Sequence, residues 1–218
     1  MKKEAKKSDE TNNEVNDDIN KVEVQGAIVA KHVSLAVTVL TIATRLPKGK
    51  EGVSRRDFAR FFFFSGTANA DANADDYKVG DRVRVTGQVQ TSRKHPEQIV
   101  VGNTIAITQR VSEVEFGEGT DSGPFLPDEN KASFRGEIMN VFAVKDKKVA
   151  VITLKTVLSN GYAHFPQIAC FGRQYTEVLG AKKGAPVLVL AHIQTNNKEA
   201  ENGEVRHYHS FVSDYIKI

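Results

Sequence analysis

The densest run of chemistry-bearing side chains lies between residues 45 and 60. There Arg45, Lys48, Lys50, Arg55, Arg56 and Arg60 stand against only Glu51 and Asp57. Cations at this density can follow the phosphates of an extended polyanion and release its counterions. Phe58 and the run Phe61–Phe64 are interleaved with them. Flat rings stack on unpaired bases, each stack contributing about 1–3 kcal/mol. A second aromatic set, Tyr162, His164, Phe165 and Phe171, precedes Arg173, and further cations sit at Arg93-Lys94-His95 and at Lys198, Arg206 and His207 beside Tyr208. Arg82 and Arg84 alternate with Val83 and Val85, so both should share one solvent-facing strand surface. Four consecutive phenylalanines cannot all point to one side of a strand, so at least two of Phe61–Phe64 must leave the interior.

Enzymatic chemistry finds little footing. His207 and His209 would put two imidazoles on one strand face, but no cysteine or acidic cluster completes a metal site. The chain has no phosphate-binding Walker loop, nucleophile elbow or Cys-x-x-Cys pair, so a binding protein without a cofactor is expected. The single cysteine, Cys170 in Gln167-Ile168-Ala169-Cys170-Phe171, reads as a small core residue. It excludes an internal disulfide and fits a reducing cytoplasm. No apolar run approaches the ~18 residues of a membrane span. Met1-Lys2-Lys3 is followed by no apolar stretch, so no secretory signal is expected.

Charge is unevenly distributed. The net charge of the 218 residues is +3, yet residues 19–110 carry 14 Lys and Arg against 8 Asp and Glu, and residues 131–218 carry 12 against 7. The acids collect in residues 1–18 and in residues 111–130, where six face no cation. Two basic units flanked by acidic segments suggest a polyanionic partner. Residues 1–18 are almost devoid of apolar side chains, which predicts a disordered tail. Residues 111–130 hold three Gly and two Pro among the acids, which predicts a flexible linker.

The two basic units are copies of one another. Asn20-Lys21-Val22 through Ile28 matches Asn130-Lys131-Ala132 through Ile138, Gly80–Thr91 matches Gly184–Thr195, and Thr104–Ile107 matches Tyr215–Ile218. Period-two alternation and β-branched richness predict five strands in each. They fall at 20–31, 35–45, 58–65, 81–91 and 98–108 in the first unit, and at 131–142, 148–158, 164–171, 185–195 and 206–218 in the second. Helix-compatible stretches, 68–77 and 173–179, separate strands three and four. Gly26 and Gly136 lie inside the first strands, where glycine permits a bend or bulge. The expectation is an all-β chain of two tandem five-stranded Greek-key barrels, each with a short helix between strands three and four.

The order of elements, twice over, resembles the OB-fold single-stranded-DNA-binding protein family of bacteria and phages. Asn20-Lys21-Val22 with Gly26, and Asn130-Lys131 with Gly136, are similar to that family's opening. Val37–Arg45 resembles its second strand, Ile168-Ala169-Cys170-Phe171-Gly172-Arg173 its third, and Gly80–Thr91 its fourth. The resemblance covers both units, about 180 residues. Two features depart from it: the family usually has one OB domain per chain with an acidic tail ending in Pro-Phe, and this sequence has no tryptophan. The resemblance implies sequence-independent binding of single-stranded DNA in replication, recombination or transfer, with replication or recombination proteins as further partners and no membrane association. It places stacking residues at Phe58, Phe165 and Phe171. It also implies a homodimer, which would bring four OB domains together. Protein docking within a replication or conjugation complex and RNA binding are the alternatives. The copies are not equivalent: the first holds the basic hairpin, the second the clearer aromatic third strand.

Overall fold

The computed structural model describes residues 18–45, 56–65, 76–91, 98–110, 128–158, 160–199 and 205–218, with side chains described outside 197–199 and 205–208. The first half forms β1 (Ile19–Val33), β2 (Val37–Arg45), β3 (Arg56–Phe64), β4 (Arg82–Gln90) and β5 (Ile99–Gln109). The second forms β6 (Glu129–Val144), β7 (Val149–Val157), β8 (Ala163–His164), β9 (Gln167–Phe171), α1 (Gly172–Leu179), β10 (Pro186–Glu199) and β11 (Val205–Lys217). Residues 1–17 of the expected tail, 111–127 of the expected linker and 68–75 of the helix expected over 68–77 lie outside the described residues.

Each half closes on itself. β1 pairs with both β2 and β4, and the ring runs β1-β2-β3-β5-β4 with only β3–β5 parallel. The second ring runs β6-β7-β9-β11-β10 with only β9–β11 parallel. This strand order is that of the OB fold, a small Greek-key barrel. The pairing register repeats with the sequence. Val22 faces Gly87 as Ala132 faces Ala191, and Phe61 faces Val100 as Ile168 faces Phe211.

Closure requires the first strand of each barrel to serve two neighbours. β1 passes from β4 to β2 around Gly26–Ile28, and a bulge lies between Ile28 and Ala30. A Cβ on Gly26 would stand 2.1 Å from the Ala43 carbonyl oxygen, and one on Gly136 would stand 2.1 Å from that of Lys155. Glycine is therefore required for the strands to approach this closely.

The Phe run splits as alternation demands. Phe61 and Phe63 are buried, while Phe62 and Phe64 point outward. Phe63 fits because Gly102 leaves room for its ring; a Cβ there would lie 2.3 Å from it. In the second barrel the corresponding pair is Cys170 and Ser213, both buried. Burial pushes the Cys170 thiol up to about 11, with Ser213 beside it acting weakly in the other direction. The second core is anchored instead by Phe134 and Phe211, packed edge to face at 5.1 Å.

The barrels join through their first strands. β1 and β6 pair antiparallel, and Val22 faces Ala132, its own counterpart in the repeat. A local two-fold axis passes between them, and eleven strands form one continuous sheet.

Candidate nucleic-acid interface

β3 carries the clearest binding surface. Alternation sends Arg56, Phe58, Arg60, Phe62 and Phe64 to the outside, while Asp57, Ala59, Phe61 and Phe63 turn inward. Small or β-branched residues of β2 flank the middle of this stripe, with Ala43 opposite Phe58, Thr41 opposite Arg60 and Val39 opposite Phe62. The larger side chains of β3 therefore stand above their neighbours. Arg56 and Arg60 have no acidic partner among the described residues. Arg60 and Phe62, with Lys31, Val39 and Thr41, line an open groove of about 350 Å³. Cations without an acidic partner among the described residues, alternating with rings along one edge, match the spacing needs of phosphate and base contacts.

The second barrel reaches this stripe. β10 and β11 remain paired out to Glu199 and Val205, forming a long ribbon. Where the ribbon leaves its barrel, the Phe58 N–H donates to Thr195 Oγ1 (2.8 Å), and the Thr195 hydroxyl donates to the Phe58 carbonyl (3.2 Å). The Thr195 N–H donates to the buried carboxylate of Asp57 (2.8 Å). The reciprocal contact runs the other way. The Phe165 N–H donates to Thr91 Oγ1 (2.9 Å), and the Thr91 N–H donates to His164 Nδ1 (3.3 Å). Gln98 adds a paired exchange with the Gln167 backbone. Each barrel's β4–β5 or β10–β11 hairpin thus lies over the entry to the other barrel's third strand, fixing Phe58 and Phe165 at matching positions.

The two seams differ in charge. Asp57 occupies one and its counterpart His164 the other. Burial holds the His164 imidazole below its ordinary 6.5, and accepting the Thr91 N–H requires an unprotonated Nδ1. Because the folded value is depressed, this contribution to stability is intact above pH 6.5 and declines as pH falls below it, where the unfolded chain binds the proton more readily. Urea unfolding should show a stability decrease between pH 7.5 and pH 5 that His164→Asn diminishes; an equal decrease in both proteins excludes the assignment.

The other expected site residues are dispersed. Arg45 ends β2 opposite Arg56, and its N–H donates to Asp128 (2.6 Å). Arg82 and Arg84 lie on the same outer side of β4, and Arg84 is exposed as expected, but the expectation needs correction for Arg82. Arg82 is largely covered and ion-paired with Asp128, and Arg84 bonds Gln25 (3.0 Å) and approaches Glu129 (3.8 Å). The junction acids Asp128 and Glu129 approach these guanidinium groups beside the β1–β6 seam. Arg173 is exposed at the start of α1 and pairs with Glu177 one turn later. Phe165 and Phe171 are exposed, as is Tyr162. Lys198, Arg206 and Tyr208 lie on the ribbon, with Lys198 opposite Arg206; their side chains lie outside the described residues. Lys48, Lys50, Arg55, Arg93 and Lys94 also lie outside them.

Sequence reasoning missed Lys31 and Phe142. Phe142, 62% exposed, falls on the inward parity of β6 if that strand is read straight through. The bulge between Ile138 and Asn140 reverses the parity, so Val141 and Ala143 pack on the core and Phe142 turns out. The same bulge in β1 places His32 outward. A long strand interrupted by glycine was the available signal.

No protein-family model and no curated protein sequence matches the chain. Solved structures do. The wild-type single-stranded DNA binding protein from Thermus aquaticus superposes with a TM-score of 0.60 at 14% identity, covering 92% of this chain and 93% of that one. A deletion mutant of the same protein gives 0.61 at 14% identity, covering 92% and 94%. A match of this extent includes both barrels and their arrangement. The chain has the tandem OB architecture on which the Thermus aquaticus single-stranded DNA binding protein is built.

Proposed function

We propose that this chain binds single-stranded DNA without sequence preference, as a binder rather than an enzyme. The observation that carries the reading is the outward stripe Arg56-Phe58-Arg60-Phe62-Phe64 with the other barrel's ribbon hydrogen-bonded to it at Thr195. Cations and rings alternate at strand spacing, and the crossed hairpins extend the surface from one barrel to the other. Residues 19–110 and 131–218 act as two binding units joined by the acidic segment 111–130. Arg45, Arg56, Phe58, Arg60 and Phe62 form the first contact set, with Lys48, Lys50 and Arg55 of the intervening hairpin. Phe165 and Phe171 form the second, with Arg93 and Lys94. Arg82 and Arg84 serve the seam instead. Service in replication, recombination or DNA transfer, in a reducing cytoplasm, fits such a protein, and a homodimer would assemble four barrels.

Labelled dT, rU and duplex oligonucleotides, titrated at two salt concentrations, test the reading. Tight dT binding that weakens steeply with salt is expected, with duplex bound far more weakly. Preference for rU replaces DNA with RNA as the ligand. No binding to any of the three leaves protein docking as the function. Sedimentation of the same samples measures the assembly.

A further inference from the structure

The two seams between the barrels are made of different side chains. At one, the Thr195 N–H meets the Asp57 carboxylate; at the other, the Thr91 N–H meets the His164 imidazole. Gln98 adds its bonds to Gln167 at the second seam. One contact is common to both. A threonine hydroxyl from one barrel accepts the backbone N–H of a phenylalanine of the other, Thr195 for Phe58 at 2.8 Å and Thr91 for Phe165 at 2.9 Å. The repeated Gln-Thr pairs of the sequence, Gln90-Thr91 and Gln194-Thr195, thus reach equivalent points.

Both phenylalanines need that support. Phe58 pairs with Ala43 of β2 on one side, and the β3–β5 pairing on the other side is confined to Phe61 and Phe62. The Thr195 hydroxyl takes the vacant side, accepting from the Phe58 N–H and donating to its carbonyl (3.2 Å). Phe165 lies in the two-residue gap between β8 and β9. Strand alternation therefore does not fix the direction of its ring. Thr91 supplies the bond that a neighbouring strand would have made.

We infer that Thr91 and Thr195 are crossed positioning residues for nucleic-acid binding, Thr195 setting the ring of Phe58 and Thr91 setting the ring of Phe165 on the opposite barrel. The inference deepens the single-stranded-DNA reading and rests on it. Contact at one barrel then depends on a residue of the other, although neither threonine has to touch the ligand. A purely adhesive seam has no reason to single out the ring residue. The group beside it has changed from Asp57 to His164, while the bond to the phenylalanine has stayed.

A double-mutant cycle on dT affinity in the full chain tests the crossing. Phe58→Ala sets the ceiling, because one lost stack weakens binding by roughly five- to 150-fold. Thr195→Val keeps the side-chain shape and removes the hydroxyl. It should weaken binding several-fold, up to that ceiling, and have no further effect once Phe58 is alanine. In the Phe165→Ala background its effect should be undiminished. Thr91→Val should show the mirror pattern, silent with Phe165→Ala and undiminished with Phe58→Ala. Thr195→Ser and Thr91→Ser retain the hydroxyl and should restore affinity. Urea midpoints control for folding, and a seam that only glues the barrels would lower affinity alike in every background. Wild-type affinity in the valine variants, an equal loss in both phenylalanine backgrounds, or serine variants as weak as the valine ones overturn the inference. So does a valine variant that fails to fold, or wild-type affinity in both Phe58→Ala and Phe165→Ala, which leaves no ring to set. Failure of the unaltered chain to bind dT at any salt is a different result, and it removes the single-stranded-DNA reading itself.

Discussion

Alanine in place of Gly26 should destabilise the protein by about 3 kcal/mol, the upper end of what overpacking costs, and Gly136→Ala should do the same. The new Cβ would sit 2.1 Å from a carbonyl oxygen of the neighbouring strand in either case. That oxygen belongs to backbone, so no rotamer change relieves the clash. Residue 27 pairs with Ala43 immediately beside the contact. Relief therefore means opening the β1–β2 pairing, which closes the barrel. Gly180→Ala is the control, because a Cβ there meets nothing within 4 Å. Urea midpoints of the three variants decide the matter; similar midpoints for all three would show that β1 can shift without loss.

Removing the seam amides should cost about as much. Asn20 is 8% exposed, its Oδ1 accepts the Val89 N–H (2.8 Å), and its Nδ2 donates to the Val89 carbonyl (2.8 Å). The side-chain amide thus stands in for a peptide group and continues the β1–β4 ladder past Val22 and Gly87. Its Nδ2 also reaches Thr156 of the other barrel (3.2 Å). Asn130 repeats the arrangement with Ile193 (2.7 and 2.8 Å) and, more distantly, Thr44 (3.4 Å). Asn20→Ala leaves a buried N–H and a buried carbonyl without that partner, at about 1–3 kcal/mol each. A loss of about 3 kcal/mol is expected for either single variant, read as a lower urea midpoint. Asn20→Asp keeps the acceptor but turns a second oxygen toward the Val89 carbonyl. Its stability should recover as pH falls toward about 3.9 and the carboxyl gains a proton to donate. A loss below about 1 kcal/mol for the alanine variants would mean that water replaces the amide.

These two features show what the sequence made legible. The Asn-Lys openings and the embedded glycines are visible in both copies as a repeated pattern, and strand boundaries follow from alternation. The physical roles are not visible. An asparagine that completes a ladder with its side chain is indistinguishable in sequence from one at a strand end. Arg82 and Arg84 alternate as surface residues should, yet Asp128 and Glu129, more than forty positions away in sequence, engage them at the junction. Phe142 was hidden by a bulge that shifts parity by one residue, an event that composition does not mark. Phe58 and Phe165 were aligned by the repeat, and the matching threonine contacts place them at corresponding points of the two seams. Sequence reasoning therefore served best within a barrel and least where the two barrels meet.

The axis between Val22 and Ala132 has a consequence for any ligand with a direction. A nucleic-acid strand runs from 5′ to 3′, and a two-fold rotation reverses that sense. A single strand crossing both outer faces in one pass meets the first in one polarity and the second in the other. Identical faces could not both be complementary to it. Arg56 and Arg60 of the first barrel stand where the second has Ala163 and Gln167, the kind of divergence that a directional guest selects once a duplicated site is held in opposite orientations.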